Sequence, residues 1–242
     1  MLINKYTKLS DVILARYNCM PVILRFGIPF GFGDKNVEEI SRQYQIDADF
    51  FTEIINVFID EDYFPQTHLQ EFSVKTIIDF LLKSHRDYRD RKIPYIEKLI
   101  ESLEWKSPEA QKNKSLIKNF FREYKNEVIE HLAFEEKEIY PYALRMEEFL
   151  QKKIQLKEEE ISKFLMNSYE EQHDDIEEKL LDLKNIMIKY LPPASNLDVE
   201  QMVLFEIFRL EKDLNNHARI EEKVLIPKVK WIEKQLKTIN NL

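Results

Sequence analysis

Glycine is nearly missing from this chain: three residues in 242, all within 26-FGIPFGFG-33. A sequence that avoids glycine elsewhere and is rich in Leu, Ile, Glu and Lys with helical periodicity predicts an all-α fold, and no alternating strand pattern competes with it. The single cysteine, Cys19, excludes an intrachain disulfide and any cysteine-built zinc or iron-sulfur site, and it fits a reducing compartment. No apolar run reaches the roughly 18 residues of a membrane span. The start, MLINKYTKLSDVILARY, lacks an apolar core followed by a small-residue cleavage site, so the expected location is the cytoplasm, with no membrane partner. Basic residues are also in deficit, 36 against 44 acidic, for a net charge of -8. That balance argues against a nucleic-acid or anionic-membrane surface, which would need a basic footprint.

What is present divides in two. The first 60 or so residues hold short amphipathic pieces, with Asp11 as a candidate N-cap for VILARY, Asp34 or Asn36 for VEEISRQY, and then DADFFTEIINVFI. They predict a small helical module over residues 1–65. The stretch DEDYFPQTHLQEF carries Pro65 and no apolar period, which places the junction near residues 61–70. From residue 66 to 242 come four long periodic segments, separated by WKSPEAQKN, QKKIQLKEEE and YLPPASN. Apolar stripes at 74, 77, 78, 81 and 82, at 117, 121, 124 and 128, at 161, 165, 169, 176, 180 and 183, and at 203, 207, 210 and 214 give each helix one buried face. Short connections make successive helices antiparallel neighbours, so the expected architecture is a four-helix bundle.

Extending each stripe by three or four residues reaches a histidine: His85, His131, His173 and His217, four of the five in the chain. Two stripes continue one further turn, to Glu135 and Glu221, within the repeated frame 131-HLAFEEKEIYP-141 and 217-HARIEEKVLIP-227. Residues four apart share a helix face, so both carboxylates are expected to point inward. Burying two ionised carboxylates without a partner costs several kcal/mol each, and no lysine or arginine lies on the stripes at that level; a cation is implied. Four imidazoles and two carboxylates that can each bridge exceed the four ligands of a tetrahedral zinc and suit two octahedral ions with bridging oxygen and exogenous ligands. His-x3-Glu reverses the order of the Glu-x-x-His pair in ferritin-like sites, and there is no HExxH zinc motif. Imidazole with carboxylate suits iron, while manganese or zinc could also be accepted. His68 lies off every stripe and is expected to be exposed. Glu136 and Glu222 should sit about 100° round the helix, as solvated residues or outer contacts of the ligands. Pro141 and Pro227 should bend or end their helices beyond the site.

With these residues in place, the chain resembles the hemerythrin-like di-iron proteins, and more closely the repair-of-iron-centres family, in which a short N-terminal module precedes a di-iron four-helix bundle. The resemblance implies metal ligation by His85, His131, Glu135, His173, His217 and Glu221, with the two glutamates bridging two non-haem iron ions that also share an oxo or hydroxo group. A fifth histidine, which a strict hemerythrin would bring to one iron, is absent from the stripes, so an open position for a small ligand is expected. The family's N-terminal module carries a Cys-Cys pair where Gly31 and Phe32 stand here, and Cys19 lies too early to replace it. GFGDK lacks the spacing of a phosphate-binding loop and reads as a turn.

The function implied is repair of iron-sulfur clusters after oxidative or nitrosative damage, through iron supply, nitric oxide binding or both. Partners would be NO or O2 and damaged iron-sulfur proteins, and a homodimer is compatible with it. The alternatives are a hemerythrin-like O2 or NO sensor or iron store, whose small domain transmits the state of the iron, and a purely structural helical protein.

Overall fold

The computed structural model describes residues 2–106, 111–154 and 174–240. Among these the secondary structure is helical, with one isolated bridge between Lys8 and Asn36. The all-α expectation holds. No described helix is long and apolar enough to cross a membrane. The chain divides into two compact units, residues 1–84 with 219–228, and residues 85–218 with 229–242.

In the first unit, helices α1 (Leu9–Ala15), α2 (Met20–Arg25), α3 (Val37–Tyr44), α4 (Ala48–Ile59) and α5 (Gln66–Leu69) surround an aromatic core. Phe26 packs against Phe51 at 4.7 Å and Phe80 at 5.4 Å, and Phe50 meets Phe72 at 5.1 Å. α3 starts as expected at Asn36, whose side chain accepts from the Glu39 amide while Glu39 accepts from the Asn36 amide. α1 differs from expectation: it begins at Leu9, and Asp11 lies within its first turn instead of capping it. The reason is tertiary, because the Leu9 amide donates to the Lys35 carbonyl and Val37 to Thr7, which pins the chain before Asp11 is reached. The stretch after α4 is not a structureless linker. Tyr63 donates to Glu53, His68 pairs with the same carboxylate at 2.8 Å while staying half-exposed, and Leu69 is buried. The glycine stretch is a turn, as expected, with Gly31 at φ +97°, a conformation that side-chain-bearing residues rarely adopt.

Four long helices follow. α6 runs through Val74–Asp87, Tyr88–Lys92 and Ile93–Glu101; α7 through Gln111–Phe134, Glu135–Ile139 and Tyr140–Lys152; α8 through Asp174–Asn185 and Ile186–Tyr190; α9 through Leu197–Ile220, Glu221–Leu225 and Ile226–Asn240. Within the second unit their inner faces form one apolar core. Ile117, Phe121, Tyr124 and Val128 from α7 meet Leu180 and Leu183 from α8, Val203, Ile207 and Leu210 from α9, and Ile96 and Ile100 from α6. Those from α7, α8 and α9 are residues of the sequence stripes, whereas Ile96 and Ile100 lie beyond the first stripe, whose Val74, Ile77, Ile78 and Leu81 are buried within the first unit. Ion pairs Lys118–Glu101 and Lys125–Glu97 step in opposite directions along α6 and α7, so those helices are antiparallel. Hydrogen bonds from Tyr88 to Asp213 and from the Glu104 amide to Asn196 set α6 antiparallel to α9. Residues 161, 165, 169 and 173 of the third stripe lie outside the described residues.

The middle segments of α6, α7 and α9 are π-helical turns, and each precedes a proline by one residue: Pro94, Pro141 and Pro227. Neither Pro141 nor Pro227 ends its helix, which corrects the expectation that they bend or end it only in part: α7 continues to Lys152 and α9 to Asn240. Proline lacks an amide hydrogen and its ring crowds the carbonyl four residues back, so a regular turn is disfavoured there. Widening resolves the conflict. The Ile93, Tyr140 and Ile226 amides reach five residues back, to the Tyr88, Glu135 and Glu221 carbonyls.

Cys19 is fully buried, and burial pushes its thiol up to about 11. In native protein at pH 8, Ellman's reagent should therefore leave it unmodified, with reaction only on unfolding. Between the ordinary value of 9.0 and about 11 the unfolded thiol ionises and the folded one does not, so the folded state binds more protons and stability falls as pH rises through that window. Urea titrations across this range should show a shallower decline for Cys19→Ala.

Candidate metal centre

The second unit brings His85 of α6 and His217 of α9 together with their Nε2 atoms 3.1 Å apart. His85 is fully buried and His217 nearly so. On its outer edge, His85 donates from Nδ1 to Glu136 Oε1 at 3.1 Å, and Arg89 donates to the same oxygen at 3.3 Å. A carboxylate only accepts, so the proton belongs on Nδ1 and the Nε2 lone pair faces the interior. Glu136, expected to lie beside the ligands, thus fixes the ring's tautomer and orientation. Glu222 is exposed.

Glu135, fully buried, approaches the same nitrogen with Oε2 at 3.3 Å, while its Oε1 lies 3.0 Å from His131 Nε2. One carboxylate therefore addresses two histidines with different oxygens. Glu221 follows His217 by one turn on α9 and joins His85, Glu135 and His217 as the fourth member of a buried group able to hold a metal ion. Of the six residues expected from sequence, the structure gathers these four, sets His131 against Glu135, and does not describe His173. The donor set fits a transition ion: two imidazole nitrogens and two carboxylates in a dry interior are the hard-to-intermediate ligands that such ions prefer, and a cation offsets the charge they would otherwise bury.

Sequence reasoning missed several neighbours. Tyr140 is buried with its hydroxyl 3.0 Å from His85 Nε2. The Tyr88 ring stands edge-on to His217 at 5.6 Å, and its hydroxyl donates to Asp213 at 3.1 Å. Lys92 forms an ion pair with Asp213, one turn before His217 on α9. Tyr142 donates to the buried Glu233 carboxylate. A proline six residues after a stripe residue, inside a pattern that continues beyond it, was the available signal for the wide turns that place Tyr140.

Residues 76–229 match the family described as the hemerythrin HHE cation binding domain, well over half of the chain. The chain belongs to that family. Its helical bundle agrees with the identification made from sequence. The hemerythrin-like chain is also similar to the iron-sulfur cluster repair protein ScdA of Staphylococcus haemolyticus (strain JCSC1435), 18% identical over 212 residues that cover 86% of this chain and 90% of the relative.

The Lys92–Asp213 pair beside this candidate centre is largely buried, with side-chain exposures of 15% and 7%. Removing the cation alone leaves an uncompensated buried charge. Lys92→Met should cost about 3 kcal/mol of stability in urea unfolding, and adding Asp213→Asn should recover a good part of it.

Proposed function

We propose that this protein is a di-iron member of its family that restores iron-sulfur clusters damaged by oxidative or nitrosative stress, by supplying iron, binding nitric oxide, or both. The observation that carries the di-metal reading is the Glu135 carboxylate, whose two oxygens address His85 and His131 separately. In this reading the buried group of His85, His217, Glu135 and Glu221 would hold one ion, and His131, set against Glu135, would serve the second, with His173 as its further expected ligand. Two such irons supply open coordination positions for NO or O2 and reversible one-electron redox change. The chain's own contribution is placement: Glu136 holds His85 with its lone pair inward, and the surrounding apolar core excludes bulk water. Similarity to a cluster repair protein over most of both chains supports damaged iron-sulfur proteins as the clients. The small N-terminal module, residues 1–65, with its one thiol buried, is assigned a docking or regulatory role, and metal chemistry is assigned to the bundle.

Anaerobic loading with ferrous iron, followed by iron quantification and Mössbauer spectroscopy, tests the site. Two irons per chain are expected; saturation at one in folded protein would remove the di-metal reading. Glu135→Ala should lose most of the second equivalent. Repair is tested by adding loaded protein to a peroxide- or NO-inactivated cluster enzyme: recovery supports the proposal, whereas tight NO binding without recovery would favour the sensor. Removing the metal at fixed pH should lower the melting temperature by roughly 5–15 °C, because ligands bind the folded state alone and the carboxylates lose their cation.

A further inference from the structure

Tyr140 is the group near the centre that the ligand frame does not account for. It follows Glu135 by five residues, and in a regular α-helix five residues end about 140° round from the start, away from the ligand face. Here the Glu135–Ile139 turn is π-helical, and the Tyr140 amide bonds to the Glu135 carbonyl. Residues joined by that bond stand nearly one above the other. The wide turn, required by Pro141, therefore carries the tyrosine round to the face that bears Glu135.

Its position is specific. The hydroxyl is 3.0 Å from His85 Nε2, the atom that His217 Nε2 approaches at 3.1 Å and Glu135 Oε2 at 3.3 Å. Neighbouring donors on an octahedral ion, each about 2.1 Å from the metal, are separated by about 3.0 Å. The phenol oxygen meets that spacing as well as the two residues assigned as ligands. The internal repeat shows that this is not a general feature of the frame, since the counterpart of Tyr140-Pro141 is Ile226-Pro227, and isoleucine offers no donor.

We propose that Tyr140 is a further metal ligand, binding as phenolate at the position held by His85, His217 and Glu135, and thereby makes the two ions of the centre chemically unequal. The inference rests on the di-iron reading and deepens it. On ligation the hydroxyl proton is released to solvent, as it is from other protonated donors that bind metal. A hard anionic oxygen at one position favours the ferric state there, and it leaves the position near His131 as the more open of the two.

The test uses full-length protein loaded with iron and oxidised with ferricyanide. A ferric phenolate absorbs in the visible, and excitation in that band enhances the phenolate ring modes in the resonance Raman spectrum. Those modes are expected in the unmodified protein, unchanged in Tyr142→Phe and lost in Tyr140→Phe, with the second iron retained in all three. Two bound irons without phenolate modes would overturn ligation by Tyr140 and leave it a hydrogen-bond donor only, with the di-iron reading intact. Modes that persist in Tyr140→Phe would assign them to another tyrosine and equally overturn it. Failure of the unmodified protein to bind iron would overturn the reading beneath both, and the unmodified protein decides these outcomes even if the variant does not fold.

Discussion

The carboxylate of Glu135 is the constraint around which the candidate centre is arranged. It is fully buried, and an ionised carboxylate in an apolar interior costs several kcal/mol unless charge and hydrogen bonds are returned to it. Its two oxygens face His85 and His131, and imidazoles can return charge only as protonated donors or through a shared cation. The protein commits the His85 Nδ1 proton to Glu136, which leaves Nε2 to face Glu135 and His217 as a lone pair. The Glu135 carboxylate and this lone pair repel each other unless a hydrogen-bond donor, such as the Tyr140 hydroxyl 3.0 Å from Nε2, or a cation lies among them. Among the described residues, two nearby cations pair elsewhere, Arg89 with Glu136 and Lys92 with Asp213. A metal ion is the simplest group that satisfies this donor set, as expected of a cation-binding family.

The bundle was legible because its signal is redundant. Four stripes of spacing three and four each identify a buried face, and the residues so named in α7 and α9 occupy the core almost without exception. His85 and His217, each one step beyond a stripe, lie buried together, while His173 falls outside the described residues. Local expectations did less well where a long-range contact competes. Asp11 has a good capping side chain, yet the backbone bonds from Leu9 to Lys35 and Val37 to Thr7 start α1 earlier. Asn36 succeeded as a cap because its partner, Glu39, lies within the same helix and needs nothing distant.

Tyr140 was illegible for a different reason. A period of 3.6 residues assigns every position a face, and the assignment fails after an inserted residue. Each π-turn shifts the register by one residue, so the sequence beyond Pro94, Pro141 and Pro227 must be read in a new phase. Reading proline as a terminator hid that shift. The Tyr142–Glu233 bond, beyond the wide turns of both α7 and α9, is another contact that a single phase carried through from the histidines does not anticipate.

The repeat invites a symmetric view of the centre, and the structure argues against taking it literally. Glu135 and Glu221 each open a wide turn at equivalent positions, but what those turns deliver differs: the phenol of Tyr140 in one half and the sec-butyl side chain of Ile226 in the other. One turn before the histidines, Asp213 is buried with Tyr88 and Lys92, whereas its counterpart Glu127 pairs with Lys179 in a partly exposed position. Polar groups are thus concentrated around His85 and His217. In a dry interior such groups act over short range with little screening, so the same pair of ions placed in both halves would experience different fields. The repeat sets His131 with Glu135 and His217 with Glu221 in matched frames, and the differing residues one turn away determine how unlike the two halves are.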